Sequence, residues 1–210
     1  MRRRADFVFW ISSAGFALLS AATGLRLLHP IDAWVLRVAQ SRASEGLDSA
    51  GTVFSVSGAA EYSGAAFLAL VGGQFFAGRR ALAAYLLAAF VATGLAELAM
   101  KLWLPQVPVP EEAARESDPT LTLEVDTPYP YPSGHMLRSV LLLGAIVVLW
   151  PNRLLRTAVL VLLLGTAASR VYLGVHWVSD VIGGTLLGVA GLAWVFRERS
   201  AISGQPSAKS

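Results

Sequence analysis

Residues 132–196 read PSGHMLRSVLLLGAIVVLWPNRLLRTAVLVLLLGTAASRVYLGVHWVSDVIGGTLLGVAGLAWVF. Three apolar runs follow one another in this stretch, at about 133–150, 153–172 and 177–196. A helix needs about 20 apolar residues to cross the hydrocarbon core of a bilayer. The polar links between the runs are short, which is typical of antiparallel helices packed side by side. Small residues in the last run, such as Gly184, predict that these helices approach closely.

Three more apolar runs precede this stretch, at about 7–28, 52–77 and 81–104. Of the 210 residues, 55% are hydrophobic and 15% are charged, whereas soluble domains carry about a quarter charged residues. We therefore predict an all-α polytopic membrane protein. A six-transmembrane-helix bundle forms a single domain over residues 1–196, and a polar cytoplasmic tail follows at 197–210.

Two segments between the runs have a different pattern. Ile31, Trp34, Val35 and Val38 share one helical face, which predicts a short helix lying in the membrane interface. Residues 105–132 are rich in proline and acidic residues, so we expect an aqueous loop. The acidic residues of this loop are Glu111, Glu112, Glu116, Asp118, Glu124 and Asp126.

Basic residues mark one side of the six-helix arrangement. They are Arg2, Arg3, Arg4, Arg79, Arg80, Arg153, Arg156, Arg197, Arg199 and Lys209. Positive residues concentrate on the cytoplasmic side of membrane proteins. Both termini are therefore predicted to be cytoplasmic and the 105–132 loop external, in what we expect to be a bacterial cytoplasmic membrane. Basic residues clustered between apolar runs indicate a bilayer as partner and no nucleic acid.

The first run, after three arginines, also has features of a signal peptide, but its apolar stretch is long for one. Cysteine is absent, which excludes disulfides and thiolate chemistry.

Polar residues converge at the external ends of the predicted helices. Charged groups within membrane helices are costly, so those that occur there are candidates for function. They come from the ends of four helices: Lys101, Ser133, Gly134, His135, Arg138, Arg170, His176 and Asp180. Because these ends are all predicted on one face of one bundle, we expect a single polar site.

The chemistry of these residues suits phosphate. Residues 132–135 lie where a loop becomes a helix, and the N–H groups of a helix start bind anions. Lys101 and Arg170 supply positive charge, and arginine can bind phosphate through two parallel hydrogen bonds.

Two histidines are the candidates for catalysis. Asp180 follows His176 by four residues, so both side chains lie on one helical face. A carboxylate in that position can hold the imidazole and favour the tautomer whose other nitrogen attacks. His135 would then be the general acid that protonates the departing alkoxide.

The order of these residues resembles the three signatures of the type-2 phosphatidic acid phosphatase (lipid phosphate phosphatase) family, which shares its site with vanadium haloperoxidases. The matching residues are Lys101, then Pro132-Ser133-Gly134-His135, then Ser169-Arg170, His176 and Asp180. The second and third signatures match fully and span residues 132–180.

The resemblance implies a phosphohistidine intermediate on His176, with His135 acting first as an acid and then as a base. It also implies that Lys101, Ser133, Gly134 and Arg170 hold the phosphate, and that no metal or other cofactor takes part.

The first signature departs from the family pattern. The family has a lysine, six residues and then Arg-Pro, but Lys101 is followed at that spacing by Pro108-Val109. Our hypothesis is that Arg138 replaces the missing arginine, because it lies three residues after His135 on the same helical face.

These observations predict a membrane lipid phosphatase that hydrolyses a phosphomonoester or diphosphate. Phosphatidylglycerol phosphate, phosphatidic acid and a polyprenyl diphosphate such as undecaprenyl diphosphate are the candidate substrates, entering from the outer leaflet. The alternatives are a lipid-to-lipid phosphotransferase and a non-catalytic lipid-phosphate-binding or transport protein. Outside the signatures, Glu97 is expected to pair with Lys101, and Glu61, placed mid-span, is expected to face the bundle interior.

Overall fold

The computed structural model describes residues 2–56, 58–115 and 127–203. Four acidic residues of the predicted loop and the end of the tail lie outside the described residues: Glu116, Asp118, Glu124, Asp126 and Lys209. The described part is helical, without a strand, as the sequence predicts. Its α-helices are α1 (Arg2–Gly24), α2 (His29–Gln40), α3 (Glu45–Val56), α4 (Ala60–Phe76), α5 (Arg80–Trp103), α6 (Gly134–Leu149), α7 (Arg153–Tyr172) and α8 (Val178–Ser203), and a 3₁₀ turn covers Glu111–Ala113.

The protein is an integral membrane protein. By length and composition, five segments could cross a bilayer: Arg3–Gly24, Arg80–Trp103, Arg153–Tyr172, Val178–Glu198, and Glu45–Phe76, which includes residue 57, a position outside the described residues. Large apolar side chains such as Phe7, Leu18, Phe76, Trp103 and Leu154 are mostly exposed on the outside of the bundle. A surface this apolar is suited to lipid rather than water.

Helix α6 is the short member of the bundle. Its 16 residues extend about 24 Å at 1.5 Å per residue, somewhat less than the thickness of the hydrocarbon core. Most of its residues are buried, because it packs against α4, α5, α7 and α8. The predicted run at 133–150 is therefore a central helix, and the count of six crossings stays a prediction.

The predicted run at 52–77 is divided between α3 and α4. Gly58 lies at the break, where an added Cβ would be 3.1 Å from Cβ of His135 and 3.0 Å from Oγ of Ser139. The chain thus passes so close to α6 that a side chain at this position would require His135 or Ser139 to move by a few tenths of an ångström. Glu61, predicted mid-span, instead lies in the first turn of α4 and is half-buried.

Helix α8 lies at the centre of the packing, in contact with α1, α5 and α6. Its glycines permit the close approach that the sequence predicts. A Cβ at Gly184 would collide with the carbonyl oxygen of Ser133, so the start of α6 lies directly on the backbone of α8. This contact brings the beginnings of the two helices together.

Helix α2 is present where the sequence predicts an amphipathic helix. Ile31, Trp34 and Val38 are more than half exposed, whereas Asp32 and Leu36 on the opposite side are buried. The buried side faces α7 and α8. The position of α2 in the membrane interface stays a prediction, but its packing places a buried carboxylate beside the start of α8.

Candidate active site

The end of α5, the end of α7 and the turn before α8 enclose a pocket of about 370 Å³. Lys101, Arg170 and His176 line it, as does Pro108, which stands where the family has arginine. Other walls come from the two ends of the 105–132 loop, including Pro110, Pro128, Tyr129 and Pro130. The structure therefore brings three of the predicted site residues to one pocket.

The predicted pairing of His176 with Asp180 is present. Nδ1 of His176 lies 3.2 Å from Oδ2 of Asp180, whose side chain is fully buried. The same oxygen accepts a hydrogen bond from the backbone amide of Trp177 at 2.9 Å, as in a capping box at the start of α8. Nε2 of Gln106 donates to the other oxygen at 2.7 Å. The carboxylate is thus held on both sides while it contacts the imidazole.

The main chain positions His176 relative to α7. The backbone amide of His176 donates to the carbonyl oxygen of Arg170 at 3.1 Å. The turn between the two helices contains Gly174 at φ 72°, a left-handed conformation that favours glycine. An added Cβ there would also collide with the carbonyl oxygen of Ala113, so the 105–132 loop packs directly onto this turn.

Arg170 is buried, and its guanidinium is oriented by a residue from α3. Nη1 of Arg170 donates to Oγ of Ser55 at 2.5 Å. Ser55 lies in α3, which the apolar pattern of the sequence does not separate from the second run. The predicted phosphate ligand thus reaches the pocket with one of its donors already in a defined hydrogen bond.

Glu97 joins two cations beside the start of α6. Its carboxylate lies 3.1 Å from Nζ of Lys101 and 3.4 Å from Nη1 of Arg138. The predicted pairing of Glu97 with Lys101 is confirmed. Arg138 contacts Glu97 and does not line the pocket, so its predicted contact with phosphate stays a prediction.

Gly134 begins α6, and glycine in such a position lets a ligand approach the backbone. In the structure an added Cβ would collide with Oε1 of Glu97 and would lie 2.8 Å from Nη1 of Arg138. The space beside Gly134 is therefore filled by the Glu97–Arg138 ion pair.

Ser133 precedes α6, and its hydroxyl does not cap the helix. Its Oγ is buried and has no hydrogen-bond partner among the residues that the structure describes. The Ser133 amide donates to the carbonyl oxygen of Asp180 at 2.9 Å, which ties the start of α6 to the start of α8.

His135 is almost completely buried in the first turn of α6 and does not line the pocket. The start of its helix is tied to Asp180, because the Ser133 amide donates to the Asp180 carbonyl oxygen at 2.9 Å. The predicted catalytic residues thus form one cluster, with His176 in the pocket wall and His135 on the adjacent helix.

Three buried polar residues that contact the site were missing from the sequence analysis as site residues: Gln106, Asp32 and Ser55. None of the three lies in a signature, and the helix that contains Asp32 was predicted only from its apolar face. Tyr131 is also fully buried, 2.9 Å from Oγ of Ser20 through its hydroxyl. Burial raises the pKa of Tyr131 to about 12, so its hydroxyl is neutral at physiological pH.

Metal-ligating side chains are not clustered in the described ranges. Within those ranges, no group of three or more His, Asp and Glu side chains is placed to hold a metal ion. The prediction that no metal takes part needs a direct experiment, which is given below.

Comparisons with known proteins agree with the resemblance seen in the signatures. The model of the PAP2 superfamily matches residues 77–202, which is more than half of the chain. The fold is similar to a solved structure described as the first transmembrane PAP2 type phosphatidylglycerolphosphate phosphatase from Bacillus subtilis. The TM-score is 0.74 at 20% sequence identity, over 97% of this chain and 100% of that one. No curated protein sequence matches the chain significantly. The chain belongs to the PAP2 superfamily.

Proposed function

We propose that this protein is a membrane phosphatase that removes phosphate from a lipid through a covalent intermediate on His176. One observation carries the proposal: Lys101, Arg170 and His176 line a single pocket, with His176 held by Asp180. A nucleophile, its orienting carboxylate and two cations form the arrangement that a phosphoryl transfer requires.

In the first step, Nε2 of His176 attacks the phosphorus atom and the bond from phosphorus to the lipid oxygen breaks. Asp180 accepts a hydrogen bond from Nδ1–H, which leaves the lone pair on Nε2 for this attack. His135 gives its proton to the departing oxygen, so the lipid leaves as an alcohol. For a diphosphate substrate, the leaving group is a lipid monophosphate instead.

In the second step, water attacks the phosphorus of the phosphohistidine. His135 takes a proton from this water, the bond between Nε2 and phosphorus breaks, and inorganic phosphate is released. The enzyme returns to its starting state with His135 protonated and His176 neutral. No oxidant, reductant or further cofactor is needed for the balance.

The phosphate oxygens are proposed to bind Lys101, Arg170, the Ser133 hydroxyl and the amide of Gly134. Two features support this assignment. The buried Ser133 hydroxyl has no other hydrogen-bond partner among the described residues. The cations line the pocket and carry the charge that a developing phosphoryl transition state needs. Arg138 is proposed to supply the charge of the arginine missing at position 108, through its place beside Glu97 and Lys101.

The proposed substrates are the lipid phosphates and diphosphates predicted from the sequence. The pocket lies at the ends of membrane helices, and its walls near the 105–132 loop are rich in proline. Only a headgroup of modest size fits a volume of about 370 Å³, so the lipid chains are proposed to remain in the bilayer. The pocket is proposed to face the extracytoplasmic side.

The test uses the full-length protein purified in detergent. Phosphate release is measured with phosphatidylglycerol phosphate, phosphatidic acid and undecaprenyl diphosphate, with and without a chelator. We expect release from at least one lipid, unchanged by the chelator and abolished in His176→Ala. Phosphate that appears on an added lipid alcohol instead of in solution would assign a phosphotransferase.

Trapping the intermediate tests the mechanism directly. With substrate labelled in its terminal phosphate, rapid quenching should leave an alkali-stable, acid-labile label on the wild-type chain and none on His176→Ala. No release from any lipid, or release unchanged in His176→Ala, would show that the proposal is wrong. Loss of activity with the chelator would contradict only the prediction that no metal takes part.

A further inference from the structure

Asp32, on the buried side of α2, binds the first turn of α8. Its Oδ1 accepts a hydrogen bond from the backbone amide of Ser179 at 2.9 Å, and its Oδ2 accepts one from the Ser179 hydroxyl at 2.8 Å. A carboxylate in this position caps the helix and interacts favourably with its dipole. Asp32 lies 147 residues before Ser179 in the chain, so only the tertiary structure creates this contact.

The contact determines the direction of the hydrogen bonds that follow. A carboxylate only accepts, so the single proton of the Ser179 hydroxyl points to Asp32. The Ser179 oxygen then presents a lone pair to Gln106, whose Nε2 lies 3.4 Å away. The same Nε2 lies 2.7 Å from Oδ1 of Asp180. Because both neighbours accept, the amide of Gln106 must present its nitrogen to them.

This series of hydrogen bonds ends at Asp180. Gln106 donates a hydrogen bond to its Oδ1. Its Oδ2 accepts a hydrogen bond from the backbone amide of Trp177 and lies 3.2 Å from Nδ1 of His176. A carboxylate held by donors at both oxygens has a defined rotation, and that rotation sets where the imidazole of His176 lies.

We propose that Asp32 is a positioning residue, which acts through Ser179 and Gln106 to hold Asp180 and thereby His176 for attack on phosphorus. This inference rests on the proposed function, in which His176 is the nucleophile. It assigns a role in the reaction to α2, a helix outside the three signatures.

Asp32→Asn separates this role from simple capping. The amide oxygen of the introduced side chain can still accept from the Ser179 backbone, so the cap on α8 is retained. The amide nitrogen then faces the Ser179 oxygen as a donor, and the hydroxyl proton turns towards Gln106. The Ser179 hydroxyl and the amide nitrogen of Gln106 are then two donors that face each other. Gln106 is therefore no longer held in its orientation towards Asp180.

The kinetic test compares Asp32→Asn, Ser179→Ala and the double variant in the purified full-length protein. We expect kcat to fall about 10-fold in each single variant, with KM within about 2-fold, because transition-state geometry is affected more than binding. The double variant should lose little more, since both changes break one chain of contacts. Thr185→Ala is the control, because that hydroxyl donates within α8, to the Val181 carbonyl oxygen at 2.8 Å.

Three results would overturn the inference. They are a wild-type kcat in either single variant, losses of kcat that multiply in the double variant, and losses of kcat that follow a fall in Tm. A second readout does not need activity. The chain has three histidines, so ¹⁵N-histidine NMR resolves them, and His176→Ala assigns the signal. The His176 Nδ1 signal should move in both Ser179→Ala and Gln106→Leu; no movement in either overturns the inference. If the wild type hydrolyses no lipid, the proposed function is wrong. The NMR result alone then tests whether these contacts position His176.

Discussion

The backbone amide of His176 donates a hydrogen bond to the carbonyl oxygen of Arg170, at 3.1 Å. A main-chain hydrogen bond therefore holds the proposed nucleophile next to a proposed phosphate ligand. Val175 makes a second bond to the same oxygen at 3.3 Å. Either side chain can be replaced without removing this link, so substitutions at the two positions report on chemistry rather than on the turn.

Asp180→Asn is expected to reduce kcat about 10³-fold with little change in thermal stability. An Asn side chain can still accept from the Trp177 amide and cap α8. Its nitrogen then takes the place of Oδ1 and faces Nε2 of Gln106, which is also a donor, and the neutral amide no longer stabilises the positive charge that the imidazole gains on attack. Phosphate release and thermal unfolding measure the two effects. Activity within about 10-fold of the wild type would contradict the role given to Asp180.

Gly134→Ala is expected to reduce activity at least about 10-fold, because the added methyl displaces the Glu97–Arg138 ion pair beside the start of α6. Gly94→Ala is the matched control in a membrane helix, since a Cβ there has no atom within 4 Å. Both variants are assayed for phosphate release and for Tm. Equal activity in the two variants would show that close packing at Gly134 has no part in the site.

Arg138→Ala is expected to raise KM for the lipid phosphate about 10-fold, through loss of a charged contact to phosphate. Pro108→Arg in that background places an arginine where the family carries one, in the pocket wall, and should restore much of the affinity. Steady-state kinetics on both variants provide the measurement. If Arg138→Ala leaves activity and KM unchanged, the replacement hypothesis is wrong.

The absence of cysteine makes the topology directly testable. Arg79→Cys, between α4 and α5, and Glu112→Cys, in the 105–132 loop, are each introduced as the single cysteine. In intact bacterial cells that express the protein, a membrane-impermeant maleimide should label Glu112→Cys and should label Arg79→Cys only after lysis. Labelling of Arg79→Cys alone before lysis would reverse the predicted orientation and place the pocket on the cytoplasmic side.

Much of the fold follows from constraints that act locally. Helix periodicity and the thickness of a bilayer act within about 20 residues, so the apolar runs locate the main helices. The pairing of His176 with Asp180 was predictable for the same reason, because residues four apart share a helical face. Local patterns in the sequence therefore predict the helical membrane class, the family signatures and the identity of the candidate catalytic residues.

The way in which those residues are held depends on contacts between distant parts of the chain. Gln106 reaches Asp180 across 74 residues, and Arg170 reaches Ser55 across 115. Neither contact has a periodicity that marks it in sequence, because each depends on how separate helices and loops pack. The break at Gly58 and the ion pair that fills the space beside Gly134 arise from packing in the same way. Local periodicity therefore predicts which groups react, whereas long-range packing determines their orientation.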